Sequence, residues 1–435
     1  MEIGSDDKRH GLRLLIISAD KYPPFRVDVS VLFGRELASR GHTIDWILQS
    51  GAPCERAQRT QWGGGTAWVA PANSGTSRFA RLMKHCQGIL HDMRTLWRVR
   101  SQHYDIIQVK DKFISALPAW WAARRRGSRF VYWLAYPYPE ASIHAVRDGT
   151  ARYPLLYLLR GWIQKVLLYR IILPVADHVF VQSEQMKVDV CQNGIDPKKV
   201  SPVPMGISLE MFPDQPAGAT ASAEPRIVYL GTLVRVRRLE FLLRVLERVA
   251  RSVPEVKLYF IGEGDAPEDR HALEEEAKRM GLEDRVVFTG RLPQDEALRL
   301  TATAKVCVSP FYPTPILNST SPTKLMEYMA LGRPVVANDH PEQRLVIQQS
   351  GGGLCVRYDE DEFAQAIEYL LDHPQEAEEM GAKGQQFVRR HRTYAHIADF
   401  VEEKYLLCVG SSNSRGKTAK KGPGTTAAPE RVPLE

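Results

Sequence analysis

The stretch LRLLIISADKYPPFRVDVSVLFGRELASRGHTIDWIL, residues 12–48, decides the fold class. Leu12 to Ser18 is a continuous apolar run of strand length that ends in Ala19-Asp20-Lys21 and the breaker pair Pro23-Pro24, the pattern of a strand buried on both faces. Val29, Leu32, Phe33 and Leu37 follow at helical spacing, with Asp28 placed to cap the start and Gly41 to end the helix. Thr43 to Leu48 supplies a second strand. Strand, helix, strand is the unit of a doubly wound sheet, whose ligands sit at the carboxyl ends of the strands.

The same grammar continues on either side. Asp105 to Val109 is a strand ending in the charged turn Lys110-Asp111-Lys112, and Arg129 to Leu134 and His178 to Gln182 are two more. After a linker from Phe212 to Pro225, rich in Pro, Ala, Gly, Thr and Ser, a second series opens with the strand Arg226 to Leu230. A helical stripe of Leu242, Val245, Leu246 and Val249 follows, then Val256 to Ile261 running into Gly262-Glu263-Gly264. Leu273, Ala277 and Met280 mark a helix closed by Gly281, and Val286 to Phe288, Ala304 to Ser309 and Pro334 to Ala337 are further strands. The expected architecture is α/β, two Rossmann-like doubly wound domains facing across a cleft. Residues 9–205 form the N-terminal acceptor domain and 206–390 the C-terminal donor domain. A helix over 391–409 is expected to cross back to the N-terminal domain, and 410–435, with almost nothing to bury, to be a disordered tail.

Composition agrees with two cores. A chain of 435 residues exceeds the roughly 250 to 300 at which one core stops growing. Hydrophobic residues at 44% and charged residues at 25% match a soluble globular protein. The net charge of +7 suits phosphate-bearing ligands, anionic lipid or nucleic acid, but the basic residues are distributed without an aromatic-basic recognition motif, so no nucleic acid is expected as a partner. Cys54, Cys86, Cys191, Cys307, Cys355 and Cys408 have no metal-ligand spacing and read as reduced core thiols of a cytoplasmic protein. Met1 to His10 lacks the apolar run of a signal peptide. Tyr153 to Val175 carries Arg160, Lys165 and Arg170, short of the roughly 20 apolar residues of a spanning helix. Two readings are open for Tyr153 to Leu173: an interfacial helix on anionic lipid, at the inner face of the plasma membrane, or a helix packed between domains with its cations snorkelling. Trp120, Trp121 and Arg124-Arg125-Arg126 would extend the interfacial surface.

Chemistry concentrates in STSPTKLMEYMALGRPVVA, residues 319–337. Ser321 reads as an N-cap, Pro322 suits the first helical position and Gly332 the left-handed stop. Free amides near Thr323 and Lys324 form an anion site suited to a diphosphate. Glu327 lies on the same helical side, placed to accept hydrogen bonds from ribose hydroxyls. An ordinary capped helix with a surface Lys–Glu pair shows the same pattern. A nicotinamide-dependent oxidoreductase is excluded, because Leu12 to Ser18 leads into Ala-Asp-Lys-Tyr-Pro-Pro and not a glycine-rich Gly-x-Gly-x-x-Gly turn.

Residues 322–337 resemble the donor-site signature of family 4 (group 1) glycosyltransferases, retaining enzymes of the GT-B fold. Val228-Tyr-Leu-Gly-Thr232 followed by Arg237-Arg238 resembles the glycine-containing loop and basic residue that hold donor phosphates. Phe260-Ile-Gly-Glu-Gly264 resembles the second-domain strand end, and Val287-Phe-Thr-Gly290 with Arg291 and Leu292 the nucleobase loop. Ala176 to Ser183 and Val203 to Ser208 resemble the strand before the interdomain region and the link that follows, so the likeness spans about Leu12 to Leu407. It implies donor binding by Gly231, Thr232, Gly262, Arg291, Leu292, Ser319, Ser321, Thr323, Lys324 and Glu327. Arg237 and Arg238 would stabilise the leaving diphosphate beside Lys324, with Glu327 at the sugar-nucleotide; a basic helix edge is the plainer reading of the two arginines. Asp111 either orients an acceptor hydroxyl or is a solvated turn residue. The implied partners are a nucleotide-sugar donor, UDP- or GDP-linked, and a glycan or lipid-linked acceptor in polysaccharide or cell-envelope glycoconjugate synthesis. A hexose-type sugar would be transferred with retention and without cofactor or metal.

The chain departs from the family's pattern at three places. Ser319 stands where a glutamate is frequent, eight residues before Glu327; Lys110-Asp111 stands for a histidine; and Phe25-Arg26-Val27-Asp28 stands for a glycine pair. Alternatives of the same architecture are a nucleotide-sugar isomerase and a sugar-nucleotide-binding protein that has lost transfer.

Overall fold

The computed structural model describes residues 11–72, 75, 77–212 and 222–418. The expectations for Met1 to His10, for most of the linker and for residues 419–435 lie outside these.

The fold is two doubly wound α/β domains. The first sheet holds β1 (Arg13–Tyr22), β2 (Thr43–Ser50), β3 (Gln58–Trp62), β4 (Gly65–Val69), β5 (Ile106–Lys110), β6 (Arg129–Leu134), β7 (His178–Val181) and β8 (Val200–Pro202). Their order is β3-β4-β2-β1-β5-β6-β7-β8, with only β3 antiparallel to its neighbour. The second sheet is parallel, in the order β11-β10-β9-β12-β13-β14. It holds β9 (Arg226–Leu230), β10 (Lys257–Ile261), β11 (Val286–Gly290), β12 (Val306–Ser309), β13 (Val335–Asn338) and β14 (Gly353–Val356). The helices α1 (Arg78–Arg98), α2 (Phe113–Arg126), α3 (Tyr138–Arg147), α4 (Pro154–Val166), α5 (Leu173–Val175) and α6 (Glu184–Gln192) belong to the first half. The second half has α7 (Glu240–Ser252), α8 (Pro267–Arg279), α9 (Gln294–Thr301), α10 (Pro315–Asn318), α11 (Thr323–Ala330), α12 (Pro341–Ser350), α13 (Glu360–Asp372) and α14 (Pro374–His391). The last helix, α15, is Tyr394–Thr418.

The apolar run that opens the chain makes β1 because both its faces are covered. Leu15 and Ile17 enter one core with Ile107 and Phe130, while Leu14 and Ile16 enter another with Trp46 and Val131. That alternation is the period-2 geometry of a strand sandwiched between helical layers. Strand order reverses between β1 and β5 in the first sheet and between β9 and β12 in the second. Each reversal opens a crevice at the carboxyl ends of its strands.

Tyr394, Ile397, Ala398, Val401 and Tyr405 of α15 pack into the core beside β1 of the first domain. The Tyr405 hydroxyl donates to Gln108 Oε1 on β5 at 2.6 Å, and Arg40 pairs with Asp399 and Glu402. The α15 helix continues past Gly410, so the expected unstructured tail is corrected for residues 410–418: extending a helix already anchored by packing needs no new nucleus. Across the cleft, Ser183 Oγ donates to the Ser319 carbonyl at 2.7 Å and the Met205 amide donates to Ser321 Oγ at 2.9 Å.

Two more expectations are corrected. Asp28 does not cap the wide helix Asp28–Leu37, which has no side-chain cap; its carboxylate is taken by Arg26 and Lys110. Of the six cysteines only Cys307 is buried, while Cys86 is exposed and the rest are half-buried, because a thiol in an apolar stretch follows the element it sits on. The β3–β4 hairpin, β8 and β14 are additional to the sequence expectation.

Candidate functional site

The second sheet's crevice is built from four strand and helix ends. The β9 strand ends at Gly231 (φ +141°) and β10 runs into Gly262 (φ +143°), conformations that disfavour any side chain. A Cβ on Gly262 would lie 2.1 Å from the Gly231 carbonyl oxygen, so two loops approach each other only as glycines. The α11 helix is pinned here by Tyr328, whose hydroxyl accepts from the Leu230 amide at 2.7 Å and donates to the Val308 carbonyl at 3.3 Å. Phe311 at the end of β12 is braced by Asn338, which bonds both its amide and its carbonyl.

This frame places the Lys324 ammonium 3.8 Å from the centre of the Tyr229 ring and 5.4 Å from that of Phe311. It is buried and has no hydrogen-bond partner among the described residues. Burial, then the field of Arg237, holds it well below the ordinary lysine value, and Glu327 offsets only part of this. An anion entering the crevice would reverse the penalty. The first turn of α11 adds to the site: the cap position is Pro322, without a side-chain hydrogen bond to the leading amides. The expected Ser321 cap is therefore corrected, since the Ser321 hydroxyl is taken by Met205 across the cleft.

Arg237 is half-buried, donates to Thr232 Oγ1 at 3.0 Å and lies over the Phe311 ring. Arg238, in a left-handed conformation (φ +50°), turns outward over Tyr312. The structure thus brings Gly231, Thr232, Gly262, Arg237, Lys324 and Glu327 together. Thr323 begins α11, and Arg291 and Leu292 follow the end of β11, with Arg291 exposed. Glu327 is half-buried, and burial pushes its carboxyl up to about 7 against the pull of Lys324. Ser319 faces elsewhere: its hydroxyl donates to Asp189 of α6 and to the Pro315 carbonyl, clasping the domains.

The first sheet's crevice carries a charge cluster that sequence reasoning named only in pieces. Lys110 Nζ lies 2.8 Å from Asp20, 3.6 Å from Asp28 and 4.0 Å from Asp111. Arg26 pairs with Asp28 at 3.0 Å and reaches Asp20 at 3.9 Å. Burial alone would lower the Lys110 ammonium, but Asp28, Asp111 and Asp20 raise it. Asp28 is likewise held below its ordinary value by Lys110 and Arg26 despite burial. Asp111 has a left-handed backbone (φ +57°), and its Oδ1 accepts from the Ala135 amide at 2.9 Å. Burial pushes its carboxyl up to about 6 although Lys110, Ala135 and Arg26 pull it down. A strained, non-glycine residue at a strand end is the kind of outlier found at working sites, and Asp111 is not the solvated turn residue that its neighbours suggested.

The two crevices face one another. The Tyr394 phenol, raised first by burial, is raised further by Asp28 from one domain and by Glu327 from the other.

Comparison with known proteins agrees in both halves. Residues 31–206 match the family described as "Glycosyl transferase 4-like domain", and residues 224–373 match "Glycosyl transferases group 1". The chain is 26% identical over 272 residues to alpha-maltose-1-phosphate synthase of Mycolicibacterium smegmatis, covering 57% of this chain and 66% of that one. It is 26% identical over 286 residues to alpha-monoglucosyldiacylglycerol synthase of Streptococcus pneumoniae, covering 62% and 60%. The matched segments thus span less than two thirds of these relatives. Among solved structures, sucrose-phosphate synthase from Thermosynechococcus elongatus superposes with a TM-score of 0.71 at 20% identity, over 92% of this chain and 100% of that one. Anabaena Alr3699/HepE, solved in complex with UDP and glucose, does so with a TM-score of 0.65 at 15% identity, over 90% and 99%. The chain has the GT-B fold, and its two halves match, in order, the glycosyltransferase 4-like and group 1 glycosyltransferase families.

Proposed function

We propose that the chain transfers a hexose-type sugar from a UDP- or GDP-linked donor to a hydroxyl of a glycan or lipid-linked acceptor, with retention and without a metal. The observation that carries this is the buried, unpartnered Lys324 ammonium beside the uncapped start of α11, Arg237 and the Gly231 loop. A diphosphate supplies the negative charge that this arrangement lacks, and charge that grows on it as the glycosidic bond breaks is stabilised there most. Glu327 holds the ribose, and Arg291 and Leu292 flank the base. The acceptor oxygen bonds to the anomeric carbon on the face from which the diphosphate departs with the electron pair of the broken bond, so configuration is kept, and Asp111 takes the hydroxyl proton. Retention and metal independence are carried over from the family resemblance. Anabaena Alr3699/HepE is described in complex with UDP-glucose, and the relatives are named for products from maltose 1-phosphate to monoglucosyldiacylglycerol. The test is incubation of the purified chain with a panel of nucleotide sugars and acceptors, reading diphosphate release and, by proton NMR, the anomeric configuration of the product. Release with an axial-to-axial or equatorial-to-equatorial outcome supports the reading; absence of both binding and release across the panel overturns it.

A further inference from the structure

Helix α4 buries only Gly161. Contact there is close, since a Cβ at Gly161 would meet Ile143 at 2.7 Å, so α4 docks on α3 by its one side-chain-free position. Its apolar side chains are left in solvent: Leu155 is 82% exposed, Leu156 65%, Leu159 59% and Ile163 57%. For α4 the reading as a packed helix does not hold, while Leu168, Tyr169, Ile172 and Leu173 beyond it are buried in the first core. A soluble helix spends such a row on its own core, and an apolar surface rimmed by cations marks a partner.

Three of these side chains do a second thing. Leu156, Leu159 and Ile163, together with Ile114 of α2, line a cavity of about 720 Å³ whose inner wall includes Asp111, Lys112 and Tyr138. One cavity therefore joins the exposed α4 face to Asp111 at the end of β5, with Lys21, Lys84, Asp92 and Arg160 also on its wall. Along this segment the charge has one sign: between Asp148 and Asp177 the sequence holds Arg152, Arg160, Lys165 and Arg170 and no acidic residue, and Arg160 lines the cavity with Lys21 and Lys84. Arg124, Arg125 and Arg126 end the neighbouring α2. Cations interleaved with leucine, isoleucine and tryptophan match an anionic lipid surface, into which the apolar face sinks while the cations stay at the headgroups.

We infer that the acceptor is a membrane lipid: α4 lies on an anionic bilayer, and a lipid enters the cavity with its apolar chain along Leu156, Leu159 and Ile163 and its headgroup hydroxyl at Asp111. This rests on the transfer reading above for the reaction itself. The sugar's anomeric carbon gains a bond to that hydroxyl oxygen, the nucleoside diphosphate leaves with its electron pair, and the proton passes to the Asp111 carboxylate. Leu156, Leu159, Ile163 and Ile114 on the cavity wall favour an acyl chain over a hydrated sugar.

The test uses the whole chain with vesicles of phosphatidylcholine alone, or mixed with phosphatidylglycerol, each carrying dioleoylglycerol as acceptor probe, and with phosphatidylinositol, itself anionic, added only to the second. The chain is expected to sediment with the anionic vesicles, to be released by salt, and to move donor sugar into the organic phase. Replacing Leu155→Glu together with Trp162→Glu should weaken vesicle binding and lipid labelling by about tenfold or more while leaving nucleotide affinity unchanged. Leu159→Trp, which fills the cavity mouth from an exposed position, should cut lipid labelling and spare vesicle binding. No sedimentation, a discrete dimer formed through α4 in place of vesicle binding, or transfer confined to water-soluble acceptors overturns the inference. If vesicles bind but no nucleotide sugar binds or reacts with any acceptor, the transfer reading has failed and the lipid-binding face stands.

Discussion

The two crevices of this molecule are electrostatic opposites. At the end of β9 a buried cation is left without a partner among the described residues; at the end of β5 two cations are paired with Asp20 and Asp28, and Asp111 stands 4.0 Å from Lys110 as a third carboxylate. Both lie at the reversal of strand order in their sheets, so the fold alone does not distinguish them. What differs is the residual demand. The second domain lacks an anion, and the first, with its cations satisfied, keeps the carboxylate of Asp111 for a hydroxyl donor.

The sharpest way to break this contrast is to remove the unpartnered cation. Lys324→Ala should lower kcat/KM for transfer by roughly 10²- to 10³-fold, the range for loss of one preorganised group facing developing negative charge. Steady-state kinetics that show only a small change would remove the second domain's claim to the donor. The matching test on the first domain is Asp111→Asn, expected to cost on the order of 10²-fold in transfer while nucleotide affinity, read by calorimetry, stays as it is. Asp111 is neutral below pH about 6 and ionised above it. The proton acceptor therefore appears as pH rises, and kcat/KM should climb through that value in the native chain. Residual activity of the Asn variant should lack that limb; a limb that survives unchanged would assign the titration to another group.

Lys110→Met asks whether the first cluster is as self-contained as it looks. With only Arg26 left to face Asp20 and Asp28, the domain should lose about 3 kcal/mol and roughly 10 °C in Tm, read by calorimetry. An unchanged Tm would mean that the carboxylates relax to water. Smallest is Ser319→Ala, which removes the clasp on Asp189 and should cost about 1 kcal/mol in stability, with nucleotide affinity unchanged. A large loss of affinity would place Ser319 at the sugar after all.

How much of this was legible depended on how local the signal was. β1, β9 and α11 could be read because each carries its own evidence: an apolar run closed by breakers, or a loop, helix and stop within a few residues. The cluster of Arg26, Asp28 and Lys110 could not, since its members are more than eighty residues apart in part and meet only because β1 lies beside β5. Two of the three departures from the family's pattern, at residues 25–28 and at 110–111, thus turn out to be one feature. Ser321, the cap that propensity selects, lies one position outside the actual cap, because propensity does not report that its hydroxyl is needed across the cleft. The α4 segment stayed ambiguous because periodicity identifies an apolar face without saying what covers it.

Direct titration calorimetry of UDP- and GDP-sugars into the native chain and into Lys324→Ala tests the central claim most directly. The account predicts that at least one nucleotide sugar binds the native chain and that the variant loses tenfold or more of that affinity, about 1.4 kcal/mol or above. Equal binding by both proteins, or no binding by the native chain, would contradict it.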